Sequence, residues 1–456
     1  MSDIHDVLAP IAKPLTPANQ NPWYVLMTLY GEPSGEDEQF DWELHRKNAR
    51  AWNSWVLSKL NEAEQHEVRN IFSWLETLPE EAVETKLEEV LTKFDEKSKE
   101  LGFSRLVLNE LFPVSFENTY FPNAFVLHDM LIMTEVHFVN CVFESSIEFS
   151  GSFNKAVCIE KCNLKSGLSF SDSKFRELNI FDCSVVGNAY ISGSTFLEGI
   201  NIAGSVFRRQ VNFSRSEFCG RTLLHRATFE EGADFRYAEF CDAAGRGPIF
   251  ELTRFDGPTS FWKSRFSSAY PELDSAILHA ETTFYAEPGD TDGPFWPEKP
   301  IDPKVSKDSC AKIRNNIGKQ GFPEAEHFFC RKEMRFTGMA AENPFEKLVY
   351  WMFGTLSDYG YSFVRPVVAL AAIFGLGLAA HWGFFLQSAA SGALGKAFGL
   401  SFSNVFPYFG LSRFFDPGLA VGLPPVLKAL SGFQTVSGAI LLFLFALGLR
   451  TRFRMR

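Results

Sequence analysis

Between residues 116 and 270 the large apolar positions recur neither every 3.6 residues nor every second one, but in alternating steps of five and six. The clearest run is Phe196, Ile202, Phe207, Phe213, Phe218, Leu224, Phe229, Phe235 and Phe240. It resumes at Phe250, Phe255, Phe261 and Phe266, and an earlier stretch reads Ile159, Leu164, Phe170, Phe175, Ile180, Val185 and Ile191. Small residues stand two positions before many of the large ones: Ser173, Ser194, Ser205, Ser216, Ala227 and Ala238. A helix would scatter such steps around its circumference, and a flat strand would alternate their faces. A right-handed coil with four short sides accommodates them, each side turning one large and one small residue inward. About 21 residues per coil gives about seven coils, and at about 4.8 Å per coil a rod on the order of 35 Å.

The flanking patterns are different. Pro10, Pro14, Pro17, Pro22 and Pro33 break any periodicity in residues 1–37, which read as extended and loop-like. Helical spacing begins near Asp41 and runs in three stretches, broken near Asn61 and Pro79, with Trp42, Trp52, Trp55, Val56, Val68, Leu87, Val90 and Phe94 on apolar faces. Core packing accounts for these Trp residues better than a partner site does. Residues 271–363 form a connector. Its Pro-rich loop near 287–303 leads to two amphipathic helices broken at Gln320-Gly321-Phe322-Pro323, then to an aromatic segment, 345–353, suited either to a membrane surface or to soluble packing.

Residues 364–456 change solvent. From Val367 to Leu386 there is no Asp, Glu, Lys or Arg, and a second apolar stretch ends at Leu449. Both match a hydrocarbon core of about 30 Å, which predicts spans over about 366–387 and 430–449. His381, the lone titratable group of the first span, is expected to face the interface. Arg450, Arg452, Arg454 and Arg456 follow the second span and place the C-terminus in the cytoplasm; two spans return the N-terminus there too. Between the spans a re-entrant helix over 394–410 is the candidate, against an interfacial amphipathic helix with no pore, with Phe398, Phe402, Val405 and Phe409 on one stripe. Ser401, Asn404 and Tyr408 lie on another, and Pro407 and Gly410 end it.

Composition sharpens this picture. Of the 48 Phe residues, against 11 Tyr and 9 Trp, 21 lie within residues 116–270. The net charge of −11 argues against a broadly basic nucleic-acid binder. It is concentrated in residues 1–110, with 21 acids against 11 bases. The eight Cys show no paired zinc-type spacing and suit a reduced cytosolic compartment; the first residues carry no signal-peptide pattern. Neither GxxxxGK[ST], HExxH nor GxSxG occurs, so no enzyme, cofactor or metal centre is expected.

The five-residue spacing with Phe or Leu at the centre and a small residue two before it resembles the pentapeptide-repeat family. That resemblance implies a right-handed quadrilateral β-helix. It covers roughly 150 residues and departs from the family pattern in adding one residue to alternate repeats. Some members of the family are acidic rods that imitate DNA. Residues 116–270 hold 18 acids and 15 bases, with Arg208, Arg209, Arg215, Arg221 and Arg226 among them, which does not suit a polyanion mimic. The span–helix–span end resembles two-helix tetrameric cation channels, and membrane-bound pentapeptide proteins with such ends are implied by the resemblance. The candidate pore-lining residues are Ser401, Asn404, Tyr408, Gly410 and Arg413. The stretch Tyr408-Phe409-Gly410-Leu411-Ser412-Arg413 departs from a potassium filter, with one Gly, no acid and a positive Arg413.

The sequence therefore predicts four parts: an acidic helical domain over 1–112, a pentapeptide-repeat β-helix over 116–270, a helical connector over 271–363 and a two-span domain over 364–456. The predicted β-helix core comprises Phe175, Phe196, Phe207, Phe213, Phe218, Phe229, Phe235, Phe240, Phe255, Phe261 and Phe266. The favoured function is a non-enzymatic interaction scaffold in the bacterial inner membrane, anchored in the lipid bilayer and binding a cytosolic protein partner. The alternative is a homo-oligomeric channel regulated by the β-helix.

Overall fold

The structure is a computed structural model that describes residues 14–33, 40–71, 80–102, 113–149, 152–287, 294–388, 391–409 and 422–453. The chain forms two compact units, residues 1–320 and 321–456.

The first unit is a β-solenoid of stacked parallel coils. Its strands run from Val114–Glu117 to Thr283–Phe284, with Thr16–Pro17 added at the start, and among the described residues they form three parallel sheets of 8, 8 and 9 strands. Phe175, Phe196, Phe218, Phe240 and Phe266 stack in one column. A second column holds Phe207, Phe229 and Phe255, and a third Phe213, Phe235, Phe261 and Phe284. A fourth carries Phe116, Phe138, Ile159 and Ile180 in register. Successive rings lie about 5 Å apart with nearly parallel planes, as in Phe213–Phe235 at 4.9 Å and 9°, an offset stack worth about 0.5–1.5 kcal/mol beyond its buried area. All eleven predicted core Phe residues are buried, none more than 3% exposed.

The solenoid has about eight turns, one more than the Phe rhythm predicts. The extra turn closes at Thr283–Phe284, paired with Ser260–Phe261, in residues that the sequence assigns to the connector over 271–363. The two step lengths have separate structural origins. Five-residue steps turn on a left-handed residue: Arg215 (φ 59°) between Phe213 and Phe218, Arg226 (57°) between Leu224 and Phe229, Tyr237 (60°) between Phe235 and Phe240. Of the six-residue steps, Phe196 to Ile202 carries Gly199 and Phe229 to Phe235 carries Gly232, whereas Phe207 to Phe213 and Phe218 to Leu224 hold no positive-φ residue. Where a five-residue step, Phe175 to Ile180, is stacked between six-residue steps on the two adjacent coils, 153–159 and 196–202, the ladder shifts register at Phe175/Glu177.

The small residues do more than leave room. The Ser173 amide donates to Ser194 Oγ (3.2 Å) and the Ser194 amide to Ser216 Oγ (3.3 Å). Cys141, Cys162 and Cys183 continue the same device: the Cys162 amide donates to Cys183 Sγ, and the Cys183 amide to Ser205 Oγ. Each hydroxyl or thiol then donates to an inner carbonyl, as Ser205 does to Ile180 (2.8 Å) and Cys162 to Phe138 (3.4 Å). An amide inside the coil is thereby satisfied without a strand partner. Burial pushes the Cys162 thiol well up, as befits a structural thiol.

Helices close both ends of the stack. Helix α1 (Pro22–Met27) lies in the segment that reads as a loop, because Pro22 occupies its first turn and Asn21 caps it, accepting from the Trp23 amide at 2.9 Å. Its Tyr24 packs on Phe121 and Phe125. Helix α2 (Trp42–Leu57) donates from Trp52 Nε1 to the Leu131 carbonyl (2.7 Å), while Asn53 bonds Asp129 and Leu131. Helices α3 (Glu62–Ile71) and α4 (Glu80–Leu101) follow. Trp23, Trp52 and Trp55 form one buried cluster, whereas Trp42 is exposed. At the other end Trp296 stacks on Phe266 and Tyr270. Helix α5 (Pro303–Gln320) fixes the last coil through Asn316 on His279 O and Gln320 on Ala280 O and Thr282 O.

His45 gives the N-terminal closure a pH dependence. It is buried, its Nε2 sits 2.8 Å from the His128 carbonyl, and burial holds its pKa below the ordinary 6.5. The unfolded chain therefore binds this proton more readily, so the contribution is present above about pH 6.5 and lost as pH falls below it. The thermal midpoint read by the Trp cluster should drop between pH 7.5 and 5.5. In His45→Gln that drop should shrink; an unchanged drop would remove His45 as its source.

The second unit contains α6 (Pro323–Ala340), α7 (Pro344–Ser357), α8 (Val364–Gln387), α9 (Ala393–Val405) and α10 (Pro425–Phe453), with a short 3-10 turn at Pro407–Phe409. Helices α8 and α10 are long and apolar enough to cross a membrane, and most of their surface is exposed. Helix α9 packs against both. It stops at Val405 because Phe406 precedes a proline and leaves the helical region.

Candidate functional site

Within a set of apolar helices, the informative groups are the polar ones that point inward. Gln434 on α10 is fully buried. Its Nε2 donates to Ser401 Oγ (2.7 Å) and to the Ile373 carbonyl (3.1 Å), while its Oε1 accepts from Asn404 Nδ2 (3.2 Å). Ser401 passes its own hydrogen to the Phe374 carbonyl (3.1 Å). One turn before Gln434, Ser431 Oγ lies 3.2 Å from Nε2 of the fully buried His381. The result is a polar seam joining α8, α9 and α10.

Glycines let the seam close. Gly377 faces the Gln434 amide, where a Cβ would collide, and Gly438 lies against the Val405 carbonyl. Small residues at these positions allow close backbone approach, the usual basis of helix association where lipid surrounds the helices. Around the seam pack Leu370, Val405, Leu441 and Leu444 on one side and Phe385, Ala397, Leu400 and Leu423 on the other.

The predicted pore-lining residues do not all lie together. Ser401 and Asn404 meet at Gln434 inside the helix set. Tyr408 stands apart, 74% exposed, beyond the end of α9. Gly410 and Arg413 lie outside the described residues. His381, expected at the interface, is instead buried against α10. Its ring is large enough to reach Ser431 on α10. The pattern around α9 gave no sign of Gln434: its partners are 30 to 61 residues away in sequence.

No protein-family model, no curated protein and no solved structure matches this chain.

The solenoid offers the other candidate surface. Its side faces carry ion pairs between neighbouring coils, Lys165–Glu144, Arg176–Glu198 and Arg209–Glu231, each under 2.8 Å. Arg176 holds the Glu198 carboxyl below the usual range. These pairs are exposed and individually weak, so their effect is to order the surface rather than to hold the fold. On one face a groove of about 470 Å³ crosses several coils, lined by Tyr190, Asn212, Asp234, Arg236 and Ser260. Trp262, 45% exposed, contacts Tyr285 nearby in the same unit.

Proposed function

We propose that this protein is a membrane-anchored scaffold, with a pentapeptide-repeat-type solenoid that presents its side faces to a protein partner. The observation that carries this reading is the closed form of the solenoid. Helices cover both ends, so the ordered side faces, with Tyr190, Trp262 and the inter-coil ion pairs, are the surface left for recognition. A right-handed, four-sided cross-section accounts for four inward columns and two alternating corner types. The two apolar helices would hold the chain in a bacterial inner membrane, with both termini in the cytoplasm and the partner a cytosolic protein. The scaffold performs no chemistry of its own. Aromatic positions along α7, with Phe345 and Trp351 exposed, suit the membrane surface.

The test is a photoreactive amino acid placed in turn at Tyr190, Trp262, Leu197 and Leu252 of the full chain in its native cells. The scaffold reading expects a discrete adduct with one protein from a single side face. Absence of a discrete adduct at all four positions would overturn it.

One observation favours the second reading, an oligomeric channel. Polar groups among membrane helices are costly unless they serve a purpose, and Ser401, Asn404 and Gln434 converge on one point. If that seam conducts, Asn404→Leu should change ion flux in liposomes severalfold. If it fastens helices, the variant leaves flux at background and lowers thermal stability.

A further inference from the structure

The cysteines divide by orientation. Cys141, Cys162 and Cys183 face inward and spend their thiols on carbonyls. Cys219 and Cys241 face outward. Each follows an inward Phe by one residue, Phe218 and Phe240, so strand alternation turns it to the surface. Phe218 and Phe240 are register partners on adjacent coils, which makes the two cysteines neighbours as well. Both are half-buried, and their sulfurs are 3.4 Å apart, with the Cys241 thiol donating to Cys219 Sγ.

A disulfide needs Cα atoms about 4.4–6.8 Å apart and a sulfur separation near 2.05 Å. Neighbouring strands are spaced at about 4.8 Å, so the backbone is already in range and only the sulfurs must close. We propose that Cys219 and Cys241 form a modification site, a vicinal dithiol that a low-molecular-weight disulfide of the glutathione class converts to a covalent link between adjacent coils. This proposal is independent of the scaffold reading.

The direction of the hydrogen bond sets the order of events. Cys219 accepts that hydrogen bond, and its sulfur is assigned as the attacking one. It loses its proton to solvent and attacks one sulfur of the small disulfide, and the other half leaves as a thiolate that takes up a proton. Cys241 then loses its proton and attacks the Cys219 sulfur of the mixed disulfide, expelling the second half. Two protein thiols and one small disulfide become one protein disulfide and two small thiols. Burial, the hydrogen bond to Cys219 and the charges of Glu239 and Glu217 push the Cys241 thiol up to about 12. It therefore stays protonated until the mixed disulfide forms beside it. The carboxylates are tied along the ladder, Glu239 by Ser267 Oγ (3.0 Å) and Glu217 by Thr195 Oγ1 (3.5 Å). The link closes a loop of one coil and fixes one side face of the rod.

The experiment treats the full-length protein in detergent with glutathione disulfide and maps peptides by mass spectrometry. The expected product is a peptide pair linked through Cys219 and Cys241, lighter by two hydrogens. Cys241→Ser should trap one glutathione on Cys219, and Cys219→Ser should modify Cys241 at least tenfold more slowly. Glutathione on the half-buried Cys158 or Cys330 without any 219–241 link would overturn the proposal. So would a link between two chains, and equal rates in the two single variants would overturn the assigned attacking sulfur.

Discussion

Phe229→Ala should lower the stability of the solenoid by about 3–5 kcal/mol, the usual cost of emptying a buried aromatic site. Phe229 is fully buried between Phe207 at 5.3 Å and Phe255 at 5.1 Å. Coils above and below are held apart by ladder bonds, Thr228 to the Ser205 carbonyl and Arg254 to the Ala227 carbonyl, both at 2.9 Å, so they cannot collapse into the void. Phe229→Leu should cost only about 1 kcal/mol, since the same column already holds Leu164 and Val185 on earlier coils. Because each coil leans mainly on its neighbours, the loss should be local. Limited proteolysis should show new cuts between about 205 and 256 in the Ala variant, with the end caps still protected. Cuts spread evenly along the chain would mean that the stack unfolds as one body.

The second large effect belongs to α10. Gly438→Leu puts a side chain where the Val405 carbonyl lies, and backbone cannot give way as a flexible side chain would. Helix α9 must move, which separates Ser401 and Asn404 from Gln434. Overpacking alone costs about 1–3 kcal/mol. Each lost hydrogen bond among membrane helices adds about 0.6 kcal/mol, up to about 1.7. The thermal midpoint in detergent should fall sharply. Gly432→Leu is the matched control: it lies on the same helix, and a Cβ there meets nothing within 4 Å. Equal losses in both variants would attribute the effect to helix chemistry rather than to the α9 contact.

The columns were legible in the sequence because every five or six residues the same chemical demand returns, and Phe, Leu or Ile meets it in place. The Thr16–Pro17 strand was not legible. Two residues carry no period, and they are ordered only by pairing with Thr119–Tyr120, about a hundred positions on. The hydrogen-bonding role of Ser173 or Cys162 was equally hidden, since size alone explained a small residue there. On α9 the two stripes were separable, but the direction each faces was not. Ser401 turns inward to Gln434, and Phe398 is 45% exposed. Gln434 falls near the start of the predicted second span; its importance lies in partners on other helices, which no local window contains.

The measurement that bears most directly on the scaffold account is native mass spectrometry of the full-length protein released from lipid nanodiscs. A pore built from these spans needs several copies around an axis, whereas a scaffold whose polar seam is satisfied within one chain does not. The account predicts a single chain per particle over a wide range of loading. A closed ring of four or five identical chains would contradict it.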